Sequence, residues 1–142
     1  MRPMDAVVLD GIGGGSLAFG RPQRLGRGSR EPWSFEATLR TSRAHATVEV
    51  WEDLAGPAAF LRELADAWHG FDGTRSYRSP EGQLTLACRH DGRGTIVCDA
   101  SLGSSIPPIW RLTAELRFEA GAHLARLADE LEALHHGTAH RP

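Results

Sequence analysis

The segment WRLTAELRF sets Trp110, Leu112, Ala114, Leu116 and Phe118 against Arg111, Thr113, Glu115 and Arg117. Period two of this strictness marks a β-strand with one buried face and one wet face. The segment WSFEATLR repeats it, with Trp33, Phe35, Ala37 and Leu39 opposed to Ser34, Glu36, Thr38 and Arg40. ATVEVW repeats it again, with Ala46, Val48 and Val50 opposed to Thr47, Glu49 and Trp51. Only TSRAH separates these last two segments, which predicts an antiparallel hairpin.

The period then changes to that of a helix. In EDLAGPAAFLRELADAWHG, Leu54, Ala58, Leu61, Ala65 and Trp68 recur at steps of three and four and form one apolar stripe. Asp53 is placed to cap the start, Pro57 is tolerable in the first turn, and Gly70 is placed to end the helix. AHLARLADELEALHHG carries a second stripe through Leu124, Leu127, Ala128, Leu131 and Leu134, with Gly137 as its stop. Between the helices, FDGTRSYRSPEG is a turn-rich linker. It is followed by QLTLACR and TIVCDASL, which HDGRG joins as a hairpin.

Strands joined by such short turns cannot form a parallel sheet, which needs long crossovers. The expected fold is therefore α+β: a single domain with a mainly antiparallel sheet of about six to eight hairpin-linked strands and two amphipathic helices on one face. It spans residues 1–142, with irregular N-terminal strands and an Arg/Gly-rich loop over 1–32 and a frayed tail over 137–142.

The stretch DGIGGGSLAFG invites comparison with a dinucleotide-binding loop. Such a loop needs a helix directly after it, whose N-terminus receives the pyrophosphate. Here Gly20, Pro22, Gly26 and Gly28 forbid one. AVVL and SLAF are better read as two short strands with a glycine turn between them.

A net charge of -2 argues against a dedicated nucleic-acid binder. The local run RPQRLGRGSR, with Arg21, Arg24, Arg27 and Arg30, reads as solvated loop charge. No apolar run approaches the ~20 residues of a membrane span and no signal segment is visible, so the expected location is cytoplasmic.

Cys88 and Cys98 flank the HDGRG turn. A loop centred on Arg93 would put both thiols opposite each other on the buried side. A cytoplasmic setting then favours two free, buried thiols over a disulfide. Cys88, His90 and Cys98 lack a fourth ligand at recognisable spacing, so no metal is expected. His69 near Asp72 and His90 beside Asp91 are possible acid–base pairs, but they sit in turns where such residues cap backbone. No catalytic, cofactor-binding or metal-binding residue is assigned and no cofactor is expected; His135, His136 and His140 are expected to face water. Trp33, Trp68 and Trp110 fall on apolar stripes and read as core, while Trp51 falls on the polar phase and is the candidate anchor for a partner.

Several of these features recur together. Trp51 precedes the first helix, Trp68 to Gly73 follow it, Glu81 and Leu84 open a strand, and His90, Asp91 and Gly94 form a hairpin. In this the block Trp51 to Leu102, with wider coverage from Trp33 to Leu134, resembles an uncharacterised actinobacterial family of domains of unknown function. Relatives would be expected to carry a His where this chain has Thr95. The resemblance implies no activity, cofactor or catalytic residue.

The reading that follows is a non-catalytic protein-binding module, with toxin-neutralising immunity proteins as its analogue in size. Its partner would be another protein rather than a membrane or a nucleic acid. It would act through the polar sheet face (Glu36, Arg40, Glu49, Arg111, Glu115, Arg117) or through the two motif loops. The alternative is a small-ligand binder or enzyme with a pocket between residues 70–82 and the 90–94 turn, using His69, Asp72, His90 and Asp91.

Overall fold

Alternation becomes pairing in the computed structural model, which describes residues 5–24, 32–53 and 55–137. β1 (Ala6–Asp10) and β2 (Ser16–Gly20) form an antiparallel pair across the glycine turn. Next come β3 (Gln23–Arg24), β4 (Trp33–Arg40), β5 (His45–Glu52) and α1 (Pro57–Asp66). β6 (Arg75–Arg78), β7 (Leu84–His90), β8 (Thr95–Gly103), β9 (Arg111–Glu119) and α2 (Ala122–His136) complete the order.

The class is α+β with antiparallel pairing, and the described strands divide between two sheets. In the first, β4 is central: β2 and β3 lie along one side of it, β5 along the other, and β1 outside β2. The second is the meander β6-β7-β8-β9. The division adds strands to the six to eight expected, giving nine among the described residues. Periodicity reports which face is buried and is silent about which strands share a sheet.

One cluster of buried side chains runs through both sheets and both helices. It includes Val7, Leu9, Phe19, Trp33, Phe35 and Leu39 from the first sheet. Leu84, Leu86, Ile96 and Phe118 join it from the second, and Leu61, Leu64, Leu124 and Leu131 from the helices. β8 is the strand that meets β4 and β5, α1 and α2 pack on each other, and α2 also runs along β1. An exposed ion pair, Arg62 to Asp129, bridges the two helices.

Several expectations need correction. The stripe of α1 holds at Ala58, Leu61 and Ala65, but the helix stops at Asp66, so Trp68 leaves the stripe and is 58% exposed. Its N-cap is Gly56, with no side-chain cap, and its C-cap is Ala67, so neither Asp53 nor Gly70 has the role expected of it. Leu54 lies outside the described residues. Trp110 precedes β9 and is 39% exposed rather than core. The linker contains β6, whose pairing with β7 brings Tyr77 opposite Leu86. For α2, Leu124, Leu127, Ala128 and Leu131 are buried and Gly137 is the C-cap at φ 77°.

The cysteines are the other departure. The hairpin register does place Cys88 opposite Cys98, with His90 opposite Ile96, as a turn centred on Arg93 requires. The two residues are joined by a disulfide, with Cα atoms 4.0 Å apart, instead of being free thiols. Direct opposition across the hairpin brings the two sulfurs together, and it outweighs the setting that favoured free thiols.

Candidate functional site

The turn between β7 and β8 uses its polar groups locally. Asp91 Oδ1 accepts from the Arg93 N–H at 2.6 Å and the Thr95 N–H at 3.1 Å, and these bonds hold its carboxyl below the usual carboxylate range. His90 Nδ1 accepts from the Gly92 N–H at 2.9 Å, and its Nε2 lies 3.0 Å from the Trp68 carbonyl oxygen. A carbonyl only accepts, so the proton is on Nε2 and both ring nitrogens are satisfied. The His90 ring also meets Phe71 edge-on at 5.7 Å. The two motif loops, 68–73 and 90–94, are thereby sewn to each other.

His69 and Asp72 are exposed. A cavity of about 520 Å³ does lie beside the linker, lined by His69, Gly70 and Arg75, but its other walls come from α1 and its C-cap Ala67. Asp72, His90 and Asp91 are not part of its lining. Of the four polar residues, only His69 lines this cavity.

The polar sheet face is split by the fold. Glu36, Arg40 and Glu49 lie on β4 and β5, whereas Arg111, Glu115 and Arg117 lie on β9 of the second sheet. On the second sheet the charges pair: Arg117 with Glu115 at 3.1 Å, and Arg89 with Asp99 at 3.5 Å and Glu115 at 3.7 Å. Exposed pairs of this kind contribute ~0–1 kcal/mol each.

The glycine loop closes on itself through Gly11 N–H to the Gly15 carbonyl at 2.8 Å, and Ile12 N–H donates to the Arg117 carbonyl of β9 at 2.6 Å. It walls an open groove of about 590 Å³ with Arg40, Thr41 and Glu115. A strand, not a helix, follows it, so no helix N-terminus faces the groove. Of the Arg run, Arg21 pairs with Asp5 at 3.1 Å, and Arg24 bonds the His135 carbonyl and stacks 5.0 Å over Trp33. Arg27 and Arg30 lie outside the described residues.

Two regions escaped the sequence reading. The first is the connection from β8 to β9. Ile106, Ile109 and Trp110 are 69%, 66% and 39% exposed, with the cis-linked Pro107–Pro108 between them. The loop is nonetheless held in shape. Ser104 N–H donates to the Trp110 carbonyl at 3.1 Å, Ser104 Oγ donates to the Ile106 carbonyl at 2.6 Å, and Arg111 reaches Ser101 and Gly82. A Cβ on Gly103 would overlap the Trp110 carbonyl, so glycine is needed for this closure. Trp51, half-buried, lines a recess of about 290 Å³ together with Val48, Gln83 and Ile106 at the foot of the loop. The sequence signal was present in SSIPPIW, a run of apolar residues without alternation.

The second is a set of buried titratable groups around Trp33. His135 is 1% exposed, contrary to the expectation that it faces water, and it packs on Trp33 and Phe35 at 4.9 and 4.6 Å. Its Nε2–H donates to the Gly20 carbonyl at 2.9 Å. Burial pushes its pKa down to about 4, although that bond opposes the shift. His136 is half-buried and bonds the Ala55 carbonyl at 3.0 Å, whereas His140 lies outside the described residues. Glu52, opposite Trp33 in register, is 4% exposed; burial and then the charge of Asp53 push its carboxyl up to about 7. No group of three or more His, Cys, Asp or Glu suited to a metal occurs among the described residues. Among them, too, no helix is long and apolar enough to cross a membrane.

Comparison with known proteins adds a family and no activity. No curated protein and no solved structure matches the chain. A family model described as "Family of unknown function (DUF6228)" matches residues 16–137, from the first residue of β2 to the cap of α2. That span covers most of the chain and contains both motif loops, and the chain accordingly belongs to the Family of unknown function (DUF6228).

Proposed function

We propose that the domain is a non-catalytic protein-binding module whose docking element is the Ile106–Trp110 loop, with Trp51 at its foot. The observation that carries this reading is the exposure of Ile106, Ile109 and Trp110 on one ordered loop. Large apolar side chains held out of the core by a closed loop raise the cost of solvation unless a partner covers them. Rigid aromatic and aliphatic anchors lose little conformational entropy on binding. The bonding of His90 and Asp91 to nearby backbone favours this reading over a catalytic use of that turn.

The partner is a protein with a complementary apolar recess, and a toxin neutralised in the manner of immunity proteins is the leading class. The module is placed in the cytoplasm, where full burial of Cys88 and Cys98 keeps dissolved thiols from their bond. The test begins with capture of the partner from the native host, followed by titration of the purified partner. The Ile109→Ser/Trp110→Ser variant should bind at least ~10-fold more weakly with an unchanged fold, because both anchors are lost. Equal affinity of variant and wild type, or failure to recover a stoichiometric partner, overturns the proposal.

A further inference from the structure

We propose that the groove between β5, α1 and β6 is a binding site for an organic primary ammonium group, with the Glu52 carboxylate and the Tyr77 hydroxyl as its polar contacts. This goes beyond the docking loop. Trp51 and Glu52 point to opposite faces of β5, and the groove shares no lining residue with the recess at Trp51.

The groove measures about 360 Å³ and is lined by Glu52, Gly56, Phe60, Glu63, Tyr77 and Arg78, among others. Its volume is at the small end of ligand sites. Two buried polar atoms in its walls have no hydrogen-bond partner among the described residues: Glu52 Oε2 and the Tyr77 hydroxyl oxygen. Buried polar atoms are normally satisfied, so two orphans in one groove point to a ligand that completes them. Glu52 is the stronger of the two, because the residue is only 4% exposed.

The charges choose the sign of that ligand. Among the described residues, the carboxylates Glu52, Asp53 and Glu63 line the groove together with one guanidinium, Arg78. Glu63 already has Arg75 at 3.6 Å. Arg78 is turned away: its guanidinium lies against Gly82 and its Nη1 is 3.5 Å from the Pro80 carbonyl. Glu52 thus has no counter-cation among the described residues, and burial first, then the charge of Asp53, raises its carboxyl to about 7. α1 also begins at this groove, but Pro57 at its first turn has no N–H, which weakens the helix N-terminus as an anion site. An ammonium group would donate to Glu52 Oε2 and to the Tyr77 oxygen. The tilted Phe60 and Tyr77 rings, 5.9 Å apart, would receive its apolar and cationic faces.

The pH dependence follows from Glu52 and the titratable groups that share its groove. Those that line the groove with it are Asp53 just after β5, Glu63 from α1 and Arg78 from β6, whose guanidinium is directed to Gly82 and Pro80, while His136 of α2 bonds the Ala55 carbonyl in the groove wall. With a carboxyl near 7, the ionised fraction falls by about thirtyfold between pH 8 and pH 5.5.

The experiment is a two-dimensional NMR titration of the full chain with n-butylammonium, with n-butyrate and 1-butanol as controls. Butylammonium should give saturable shifts at Gly56, Phe60 and Tyr77, with affinity at least ~10-fold above either control and ~30-fold weaker at pH 5.5 than at pH 8. Glu52→Gln should remove both the binding and its pH dependence. Tyr77→Phe, which leaves the carboxylate in place, should weaken binding without changing its pH profile. Saturation by butyrate or butanol at equal affinity, absence of saturable shifts with any probe, or unaltered binding in a folded Glu52→Gln protein would each overturn the proposal.

Discussion

The two ends of the β6-β7-β8-β9 sheet handle their exposed groups in opposite ways. At the β7–β8 end, a turn rich in polar residues uses them internally: His90 and Asp91 bond the backbone of the turn and of residue 68. At the β8–β9 end, a loop with few polar side chains holds Ile106, Ile109 and Trp110 out in water. The polar turn carries groups suited to chemistry, and they are already engaged. The apolar loop reads as an interruption in sequence, yet it is the end left with unmet contacts. Residue type alone is therefore a poor guide to which loop is available to a partner.

The contrast can be tested through stability. The largest effect belongs to the disulfide behind the polar turn. Replacing Cys88 and Cys98 by Ala should lower unfolding free energy by about 3 kcal/mol for a loop with a sequence separation of 10, read from urea midpoints.

Next comes a yardstick in the core, away from both ends. His135 has a folded-state pKa of about 4 against an ordinary 6.5, so its contribution is complete above pH 6.5 and is lost as pH falls toward 4. That loss is about 2–3 kcal/mol after allowance for partial solvation. Glu52 has the opposite sign. Its carboxyl is raised from 4.5 to about 7, so its stabilising effect is present below 4.5 and lost as pH rises through 7. Between pH 4.5 and 6.5 the two slopes oppose each other. Glu52→Gln should therefore expose a clear rise of stability with pH that the wild type lacks; a wild-type curve as steep as the variant's would refute the pairing.

At the polar turn itself, His90→Ala removes two backbone bonds and the Phe71 contact. It should cost about 1–2 kcal/mol in chemical denaturation. The smallest change is expected at the apolar end, where Ile109→Ser should leave stability within about 0.5 kcal/mol. Equal costs at the two ends would erase the distinction between a closed turn and an available loop.

Much of the fold could be read from the chain because burial writes itself as periodicity. Trp33, Phe35, Ala37 and Leu39 alternate, and all are buried; Leu124, Leu127 and Leu131 recur helically, and all are buried. What stayed hidden depends on long-range placement. Trp68 fits the α1 stripe by spacing, yet the helix ends two residues earlier, at Asp66. β6 has no buried face strong enough to announce it, and it exists because β7 offers an unpaired edge. His135 sits in the last turn of α2, where the sequence suggests fraying, but Trp33, Phe35 and Gly20 of the first sheet enclose it. Of the candidate site residues, Trp51 could be singled out in the sequence by its odd phase. The exposed loop beside it and the orphaned carboxyl of Glu52 were visible only once strands were assigned to neighbours.

The clasp from Ile12 to Arg117 makes the glycine turn a spacer of fixed length between two sheets. Deleting Gly14 while that clasp holds would slide β1 by one step against β2, and a one-step slip rotates every side chain to the opposite face. Val7 and Leu9 would surface, and Val8, now 40% exposed, would be driven inward. A stretch that resembles a nucleotide cradle is thus a ruler, whose glycines count residues so that the outermost strand keeps its oily side turned toward α2.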